Sequence, residues 1–237
     1  MLFRSYKNID DIPEDEQLLT KIRLNDENEQ IFPFITDFNK NEQVDRVYIT
    51  GETGTGKTTF IRKYIIMFKK IYPKSKIFFI SSKQQDKLID DLQVIRMKID
   101  DDILINNLSL VEISKQSKPS LIIFDDVEDF KNKKINIEIA RFRDEVMRNG
   151  RSYGVFSLFV NHNPCDYYKT RSQIFEANKI VIFPTRSGNG TYDYLLEKKL
   201  HLKKDIIKKI NCLKSSFVCI NKNIPKLIIS DKYILLP

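Results

Sequence analysis

The chain has 237 residues, of which 41% are hydrophobic, so it is long enough for one α/β domain with a sizeable core and too short for two motor domains with accessory modules. Its three cysteines contain no C-x-x-C pair, which argues against a zinc site and in favour of a reducing compartment. The net charge of +8 is uneven, because residues 1–45 hold 5 basic and 11 acidic side chains, a charge of −6, and residues 46–237 therefore carry +14.

The first predicted elements enclose a phosphate-binding loop. After an acidic N-terminal leader over residues 1–45, a strand over residues 46–50 leads into Gly-Glu-Thr-Gly-Thr-Gly-Lys-Thr, the complete G-x-x-x-x-G-K-[ST] pattern, and a helix follows over residues 60–72. The glycines let backbone N–H groups turn onto phosphates, Lys57 reaches the β and γ oxygens, and Thr58 ligates Mg²⁺. We expect Lys57 to face solvent in the empty loop. The predicted nucleotide-binding residues are Gly51, Glu52, Thr53, Gly54, Thr55, Gly56, Lys57, Thr58 and Thr59.

A second motif follows on a later strand. The elements between are a predicted strand over residues 76–81, helical residues near 86–94 and a polar stretch with three acids at 100–102. Four apolar residues, 121–124, then end in Asp125 and Asp126, as expected for a strand that is buried on both faces. An ordinary buried strand with a polar turn has the same local pattern, but the upstream loop favours a Walker B element. Asp125 would then hold Mg²⁺ through its water shell, and Asp126 would be the general base that orients the attacking water.

The remaining elements complete an α/β pattern. Apolar residues repeat at helical spacing from Ile135 to Val146, and Gly150 stands where a C-terminal glycine is expected, so this helix would cross over to the next strand. The later predictions are strands over residues 155–160 and 179–183, helices over 191–200 and 203–212, and an antiparallel pair over 217–220 and 227–229. The predicted fold is a P-loop NTPase over residues 46–237, with a RecA-like, mostly parallel sheet flanked by helices and a C-terminal antiparallel strand pair. Such a fold binds its nucleotide at the carboxyl edge of the sheet.

One segment resembles a known superfamily. Residues 151–164, Arg-Ser-Tyr-Gly-Val-Phe-Ser-Leu-Phe-Val-Asn-His-Asn-Pro, resemble the strand and polar sensor that follow Walker B in the FtsK/HerA superfamily of DNA-pumping ATPases. With the form of the loop and the small size, the chain looks like the genome-packaging ATPases of poxviruses, other large nucleocytoplasmic DNA viruses and virophages. The resemblance covers roughly residues 46–231.

The resemblance implies function and partners. It implies an ATP-hydrolysing DNA translocase that packages a viral double-stranded DNA genome into a capsid, with ATP and Mg²⁺ as cofactors. The implied partners are double-stranded DNA, further copies of the chain in a pentameric or hexameric ring, and capsid or membrane-associated packaging proteins. The implied location is the virion and the viral factory in the host-cell cytoplasm. The sequence itself has no apolar run of membrane-spanning length, so we expect a soluble protein without a transmembrane segment.

The resemblance also implies a sensor and an arginine that acts in trans. The family has a glutamine at the end of the sensor strand, whereas this chain has His162 there, with Asn161 beside it. Either side chain can bond a water or phosphate oxygen, and histidine adds a titratable proton. For the trans arginine we rank Arg186 and Arg151 ahead of the alternatives Arg148 and Arg171, because we expect the first two to flank strand ends on the nucleotide edge. For each of these arginines taken singly, solvation at the surface is the more common role.

Two further patterns leave alternatives open. Paired lysines recur every five residues, which fits either a grip on DNA phosphate or the solvated faces of two amphipathic helices. They are Lys198, Lys199, Lys203, Lys204, Lys208 and Lys209. Nearby tyrosines, Tyr167, Tyr168, Tyr192 and Tyr194, would either stack on bases or pack.

Other classes of P-loop protein match parts of the sequence. A GTPase is disfavoured, because the nearest match to its base-reading motif, Asn-Lys-Asn over residues 221–223, lacks the acid. A small nucleoside or nucleotide kinase, or an ATP-gated protein without motor activity, remain as alternatives to the translocase.

Overall fold

The computed structural model describes residues 22–23, 31–83, 85–97, 109–127, 132–166, 170–188 and 190–236. The predicted polar stretch at 100–102 and the tyrosines at 167 and 168 lie outside these residues. The chain divides into two compact units, Ile35–Ala177 and a unit that combines Met1–Phe34 with Asn178–Pro237. Whether residues 1–45 form a leader to a single domain over 46–237 stays a prediction.

The described residues contain these strands and helices. The strands are β1 Ile22–Arg23, β2 Arg46–Thr50, β3 Ile77–Ser81, β4 Ile95–Met97, β5 Ser120–Asp125, β6 Val155–Asn161, β7 Lys179–Ile182, β8 Val218–Asn221, β9 Leu227–Ser230 and β10 Tyr233–Leu235. The α-helices are α1 Phe38–Asn41, α2 Lys57–Ile71, α3 Leu110–Gln116, α4 Lys133–Tyr153, α5 Arg171–Glu176 and α6 Lys204–Cys212. Single turns of 3-10 helix span Asp90–Leu92 and Pro184–Arg186, and a π-helical turn spans Leu195–Lys199. Among the helices described, none is both long and apolar enough to cross a membrane.

The Ile35–Ala177 unit holds a parallel sheet in the order β4-β3-β5-β6-β2. The pairing sets Thr50 opposite Asn161 and Ser81 opposite Asp125, so four strands end at nearly the same level. Because parallel strands all point the same way, the residues that follow β2, β3, β5 and β6 meet at one edge of the sheet. This alignment creates the candidate site.

Aromatic residues show how helices cover both faces of this sheet. Phe156 and Phe159 lie three positions apart on β6 and therefore point to opposite faces. The Phe156 ring contacts Phe68 of α2 at a centroid distance of 5.2 Å. On the other face, Phe159 stacks on Phe124 of β5 at 5.2 Å, and Phe124 contacts Phe142 of α4 at 5.9 Å. The sheet is therefore buried on both sides, which explains the continuous apolar runs of its strands.

The second unit is antiparallel. Its strands lie in the order β7-β8-β9-β10-β1, and each neighbouring pair is antiparallel. The predicted antiparallel pair corresponds to β8 and β9, and the structure extends it with β7, β10 and β1. The sequence prediction of a mixed α/β fold, with parallel strands followed by a C-terminal antiparallel group, is confirmed.

One predicted helix is mostly wrong. Over residues 86–94 the structure has only the 3-10 turn Asp90–Leu92 before β4. Aspartates compete with helix formation there, because the Asp86 carboxylate accepts from the Leu88 N–H at 2.9 Å and the Asp90 carboxylate accepts from the Asp86 N–H at 2.8 Å. The helix predicted over residues 191–200 is present over residues 193–199, but most of it is the π-helical turn Leu195–Lys199, in which the Leu200 N–H bonds the Leu195 carbonyl.

The glycine that ends helix α4 was also mispredicted. Gly150 lies inside α4, and the helix continues one more turn to Tyr153. Gly154 is the C-terminal cap, with φ at +68°, and its N–H bonds the carbonyls of Arg151 and Gly150. A Cβ atom at residue 154 would lie 2.9 Å from the side chain of Lys118 and 3.0 Å from the ring of Phe38. Only glycine fits this junction without strain.

We predict that Gly154→Ala lowers the free energy of unfolding by about 1–2 kcal/mol, since alanine is strained at positive φ and its methyl group crowds Lys118 and Phe38. Urea unfolding measures the change. Gly188→Ala is the control, because Gly188 is not at positive φ and an added Cβ would meet only Thr191 Oγ1 at 3.4 Å. Equal losses in the two variants would contradict the assignment.

Candidate active site

The phosphate-binding loop joins β2 to the N-terminus of α2. Gly56 is the N-cap of α2 with φ at +107°, a conformation that favours glycine and lets the chain turn directly into the helix. The Thr55 hydroxyl donates to the Glu52 carbonyl at 2.8 Å and holds the loop closed. The free N–H groups of the first turn of α2 and the helix dipole favour a phosphate at this end.

Lys57 is buried, contrary to the expectation that it faces solvent. Its side chain is only 8% exposed, and its ammonium donates to the carbonyls of Gly51 at 2.6 Å and Glu52 at 2.9 Å. Burial lowers the pKa of Lys57, although Asp125 and Asp126 oppose this effect by their negative charge. The Lys57 ammonium thus donates to loop carbonyl oxygens, and phosphate oxygens of a nucleotide would be acceptors of the same kind.

The two acids at the end of β5 have different environments. Asp125 is 4% exposed, and burial, followed by repulsion from Asp126, raises its pKa from 3.8 to about 6. Asp126 follows β5 with φ at +51°, a left-handed backbone conformation that residues other than glycine seldom adopt. Burial also acts to raise the pKa of Asp126, but hydrogen bonds from Lys83 and His162 outweigh it, and the net pKa lies below the ordinary value. Asp126 therefore ionises at a lower pH than Asp125.

His162 connects the loop to Asp126. Its Nδ1 lies 3.3 Å from the Lys57 ammonium, and its Nε2 lies 2.6 Å from Asp126 Oδ1. A lysine ammonium has no lone pair, so Nδ1 must accept and Nε2 must carry the hydrogen that is donated to Asp126. This arrangement fits the tautomer with its hydrogen on Nε2, and His162 connects the loop lysine to the acid.

Asn161, the alternative sensor, is buried behind His162. It is 2% exposed, and its Nδ2 donates to Gln173 Oε1 of α5 at 2.8 Å. Within the described part of the chain, its Oδ1 has no hydrogen-bond partner. The geometry therefore brings His162, rather than Asn161, into contact with Lys57 and Asp126, while the catalytic role of either residue stays a prediction.

Lys83 belongs to the site, although the sequence analysis did not name it. It follows β3, and its ammonium forms an ion pair with Asp126 Oδ2. The side chains Lys83, Asp126, His162 and Lys57 therefore form a continuous row that crosses the ends of β3, β5 and β6 to the loop after β2. The sequence contained one signal for Lys83: like Asp126, it is a polar residue just beyond an apolar strand.

The other predicted residues divide between loop and helix. Glu52, Thr53 and Gly54 are exposed on the loop, while Thr58 and Thr59 lie in the first turn of α2. In the described residues, no three histidine, cysteine or acidic side chains are grouped as metal ligands. The predicted metal residues, Thr58 and Asp125, instead supply one hydroxyl and one carboxylate.

One arginine prediction is wrong in its placement. Arg151 lies in the last turn of α4, just before β6 begins, and so at the amino edge of the parallel sheet. The phosphate loop follows β2 at the opposite edge, so the reason for ranking Arg151 is removed. Arg148 pairs with Asp144 at 3.6 Å. Arg186 is exposed in the turn after β7, in the second unit, and its role stays a prediction, as does that of Arg171.

The chain was compared with known proteins. No protein-family model matches it. Protein V3 of Sputnik virophage is 30% identical over 181 residues, which are 76% of this chain and 71% of V3. The chain belongs to the family of V3.

Solved structures share its fold. The genome packaging NTPase B204 from Sulfolobus turreted icosahedral virus 2, in complex with ATP-gammaS, matches with a TM-score of 0.56 and 19% identity, over 80% of this chain and 97% of B204. The pCW3 conjugation coupling protein TcpA, with ATPgS, matches with a TM-score of 0.55 and 10% identity, over 98% of this chain and 70% of TcpA. The predicted resemblance to a virophage protein is confirmed by V3, and the predicted P-loop NTPase fold is confirmed by the likeness to B204 and TcpA.

The raised pKa of Asp125 predicts a pH dependence of stability. Because its folded pKa, about 6, exceeds its ordinary value of 3.8, the stability from its proton is present below pH 4 and lost as pH rises through 6. When the pH falls from 8 to 5, in the presence of a chelator and without nucleotide, the free energy of unfolding of the wild-type protein should increase by about 1 kcal/mol relative to that of Asp125→Asn. Urea unfolding at each pH measures this difference. If the free energies of unfolding of wild type and Asp125→Asn change by the same amount between pH 8 and pH 5, Asp125 does not titrate in this window.

Proposed function

We propose that this protein is an ATP-hydrolysing DNA translocase that packages a viral double-stranded DNA genome into a capsid. The main support is the row Lys83, Asp126, His162 and Lys57, which joins the phosphate loop to Asp126 at one edge of the sheet. Family membership with a virophage protein and the fold of a packaging NTPase support the viral and motor parts of the proposal.

Nucleotide binding uses the loop and the first turn of α2. Lys57 already lies at the mouth of the loop, where its ammonium bonds two carbonyls. A triphosphate would offer it β and γ oxygens, and the N–H groups of the loop and of α2 would surround the phosphates. Complexes of B204 and TcpA with ATP analogues support ATP as the ligand.

Thr58 and Asp125 fit a magnesium ion by the chemistry of their donors, since Mg²⁺ prefers hydroxyl, carboxylate and water oxygens. The raised pKa of Asp125 shows that burial and the charge of Asp126 outweigh the positive charges of Lys83 and Lys57, and a divalent cation would stabilise the ionised carboxylate further. When bound there, Mg²⁺ would neutralise charge on the β and γ phosphates. Thr58 and Asp125 would hold the ion, directly or through water.

Asp126 is suited to the hydrolytic step. As an ionised carboxylate it would accept a proton from water, whose oxygen attacks the γ phosphorus. The bond from the γ phosphorus to the oxygen that bridges the β and γ groups then breaks, and the products are ADP and inorganic phosphate. His162 and Lys57 would orient this carboxylate relative to the phosphates.

We predict that Asp126→Asn lowers kcat about 100-fold or more while the Kd for ATP changes little, because the amide keeps the shape and loses the basic oxygen. Steady-state hydrolysis and equilibrium binding of a fluorescent ATP analogue measure the two effects. Lys57→Ala is the contrasting variant and should lose both binding and turnover. If Asp126→Asn weakens binding as much as turnover, Asp126 is a structural or metal group.

The exposed lysines near α6 supply a candidate DNA contact. Lys203, Lys204 and Lys208 are exposed, whereas the buried Ile206 and Ile210 anchor the opposite face of the helix. Lys198 and Lys199 are less available for contact with DNA phosphate, because Lys198 bonds Glu197 at 3.0 Å and Lys199 lies over the ring of Tyr194. Of the described tyrosines, Tyr192 is buried and packs, while Tyr194 is 55% exposed.

We predict that duplex DNA binds with little sequence preference, stimulates ATP hydrolysis, and loses affinity steeply as salt rises, because phosphate contacts release counterions. Reversing Lys203 and Lys204 to glutamate tests this surface, and reversing Lys63 and Lys70 of α2 is the matched control. Fluorescence anisotropy from 50 to 200 mM salt measures binding. Equal affinity in both double variants would place the DNA contact elsewhere.

The same measurements separate the translocase from the alternatives. DNA that neither binds nor stimulates an ATP-competent protein at low salt would defeat the proposal and favour a small kinase. The proposed ring of five or six copies, with Arg186 as a candidate in trans, is tested by mass measurement of the assembled protein. Docking on capsid or membrane-associated packaging proteins, in the virion and viral factory, completes the proposal.

A further inference from the structure

We propose that Lys83 restrains Asp126 and keeps ATP hydrolysis slow until a phosphate group draws the Lys83 ammonium away. This inference rests on the proposed function, because it assigns a regulator to the same carboxylate. We call Lys83 and His162, together with the carboxylate they hold, the Asp126 clamp.

Both oxygens of Asp126 are engaged in the clamp. His162 Nε2 donates to Oδ1 at 2.6 Å, and the Lys83 ammonium pairs with Oδ2. A carboxylate that is to take a proton from water needs an oxygen that the water can reach. With one partner on each oxygen, Asp126 is held in place and has fewer lone pairs open to water, so the departure of one partner would free an oxygen for the transfer.

Of the two partners, Lys83 is the one that can dissociate from Asp126 more easily. His162 is tied to the loop as well, through Lys57, and its loss would disturb the phosphate site. The Lys83 side chain is 55% exposed, whereas that of Asp126 is 17% exposed. The Lys83 backbone is held at both ends, because its N–H donates to Ser81 Oγ at 3.1 Å and its carbonyl accepts from Arg96 at 2.9 Å. Release therefore requires only rotation of a flexible side chain.

The ligand that removes Lys83 should be a phosphate. An ammonium group is a compact positive charge with three donors, and a phosphate offers it more negative charge than one shared carboxylate oxygen. Lys83 lies at the sheet edge where the proposed nucleotide phosphates bind, and its exposed side also faces solvent, where a DNA backbone is able to reach it. The phosphate would come either from DNA or from the γ group of ATP.

The test compares three variants with wild type, each with and without duplex DNA. Lys83→Gln removes the ion pair, Lys83→Arg keeps the charge, and Lys87→Gln removes an exposed lysine of the same segment while the clamp stays intact. We expect Lys83→Gln to raise kcat without DNA about two- to fivefold, the range that matches a partly exposed ion pair. Lys87→Gln should stay near the wild-type rate, and Lys83→Arg should have a lower kcat than Lys83→Gln, because it keeps a positive charge beside Asp126.

The two phosphate sources give different results. If DNA phosphate is the release signal, Lys83→Gln has the raised basal kcat, an unchanged KM for ATP and little further stimulation by DNA. If the γ phosphate is the signal, Lys83→Gln also raises the basal kcat, because no release precedes each turnover, and it weakens binding of ATP but not of ADP, because only ATP has lost a contact. Both outcomes support restraint of Asp126 by Lys83.

Other outcomes overturn the inference. A fall in kcat with normal ATP binding would make Lys83 a group that assists the chemistry. Unchanged kcat, ATP binding and DNA stimulation would make the ion pair structural only. The comparison without DNA is independent of the translocase proposal: absence of DNA binding by wild type would defeat translocation, while the ratio of basal rates would still decide whether Lys83 restrains Asp126.

Discussion

The parallel alignment of four strands is the constraint on which the site depends. The strands β3, β5, β6 and β2 lie side by side in the Ile35–Ala177 unit, and their carboxyl ends stop at nearly the same level. Four residues that are far apart in sequence, Lys83, Asp126, His162 and Lys57, consequently meet in one row. A shift of one strand by a single residue would point its terminal side chains to the other face and break the row.

The row also balances charge in a poorly hydrated place. Asp125 and Asp126 are adjacent acids, and burial disfavours two negative charges there. Lys83 and His162 stabilise the charge on Asp126, whereas Asp125 keeps a raised pKa of about 6. Lys57, whose own pKa burial lowers, is held by loop carbonyls. Lys57 would be stabilised by an incoming phosphate and Asp125 by a bound cation, so the unfavourable burial of these two groups favours binding of a nucleotide with its cation.

The glutamine expected at a strand end is replaced by a different polar arrangement. In the family pattern a glutamine ends the sensor strand, and here that position is His162, with Asn161 before it. The buried amide pair of Asn161 with Gln173 anchors α5 to the end of β6, and the histidine makes the contacts that face the phosphate loop. The residue types alone did not show which of Asn161 and His162 contacts the phosphate loop. Burial distinguishes them, because the amide of the buried Asn161 must find a partner within the protein.

Sequence alone located the phosphate loop and the strand that ends in two acids, because both are local patterns with fixed spacing. The same reasoning determined every strand of the parallel sheet except the short β4, since strands buried on both faces need continuous apolar runs. It failed where side chains compete with the backbone, as Asp86 and Asp90 do, and where a helix end depends on contact, as at Gly154. Only the tertiary structure decided that Lys57 is buried, that Lys83 pairs with Asp126 and that Arg151 lies at the far edge, because these facts depend on which strands are neighbours and in which direction they run.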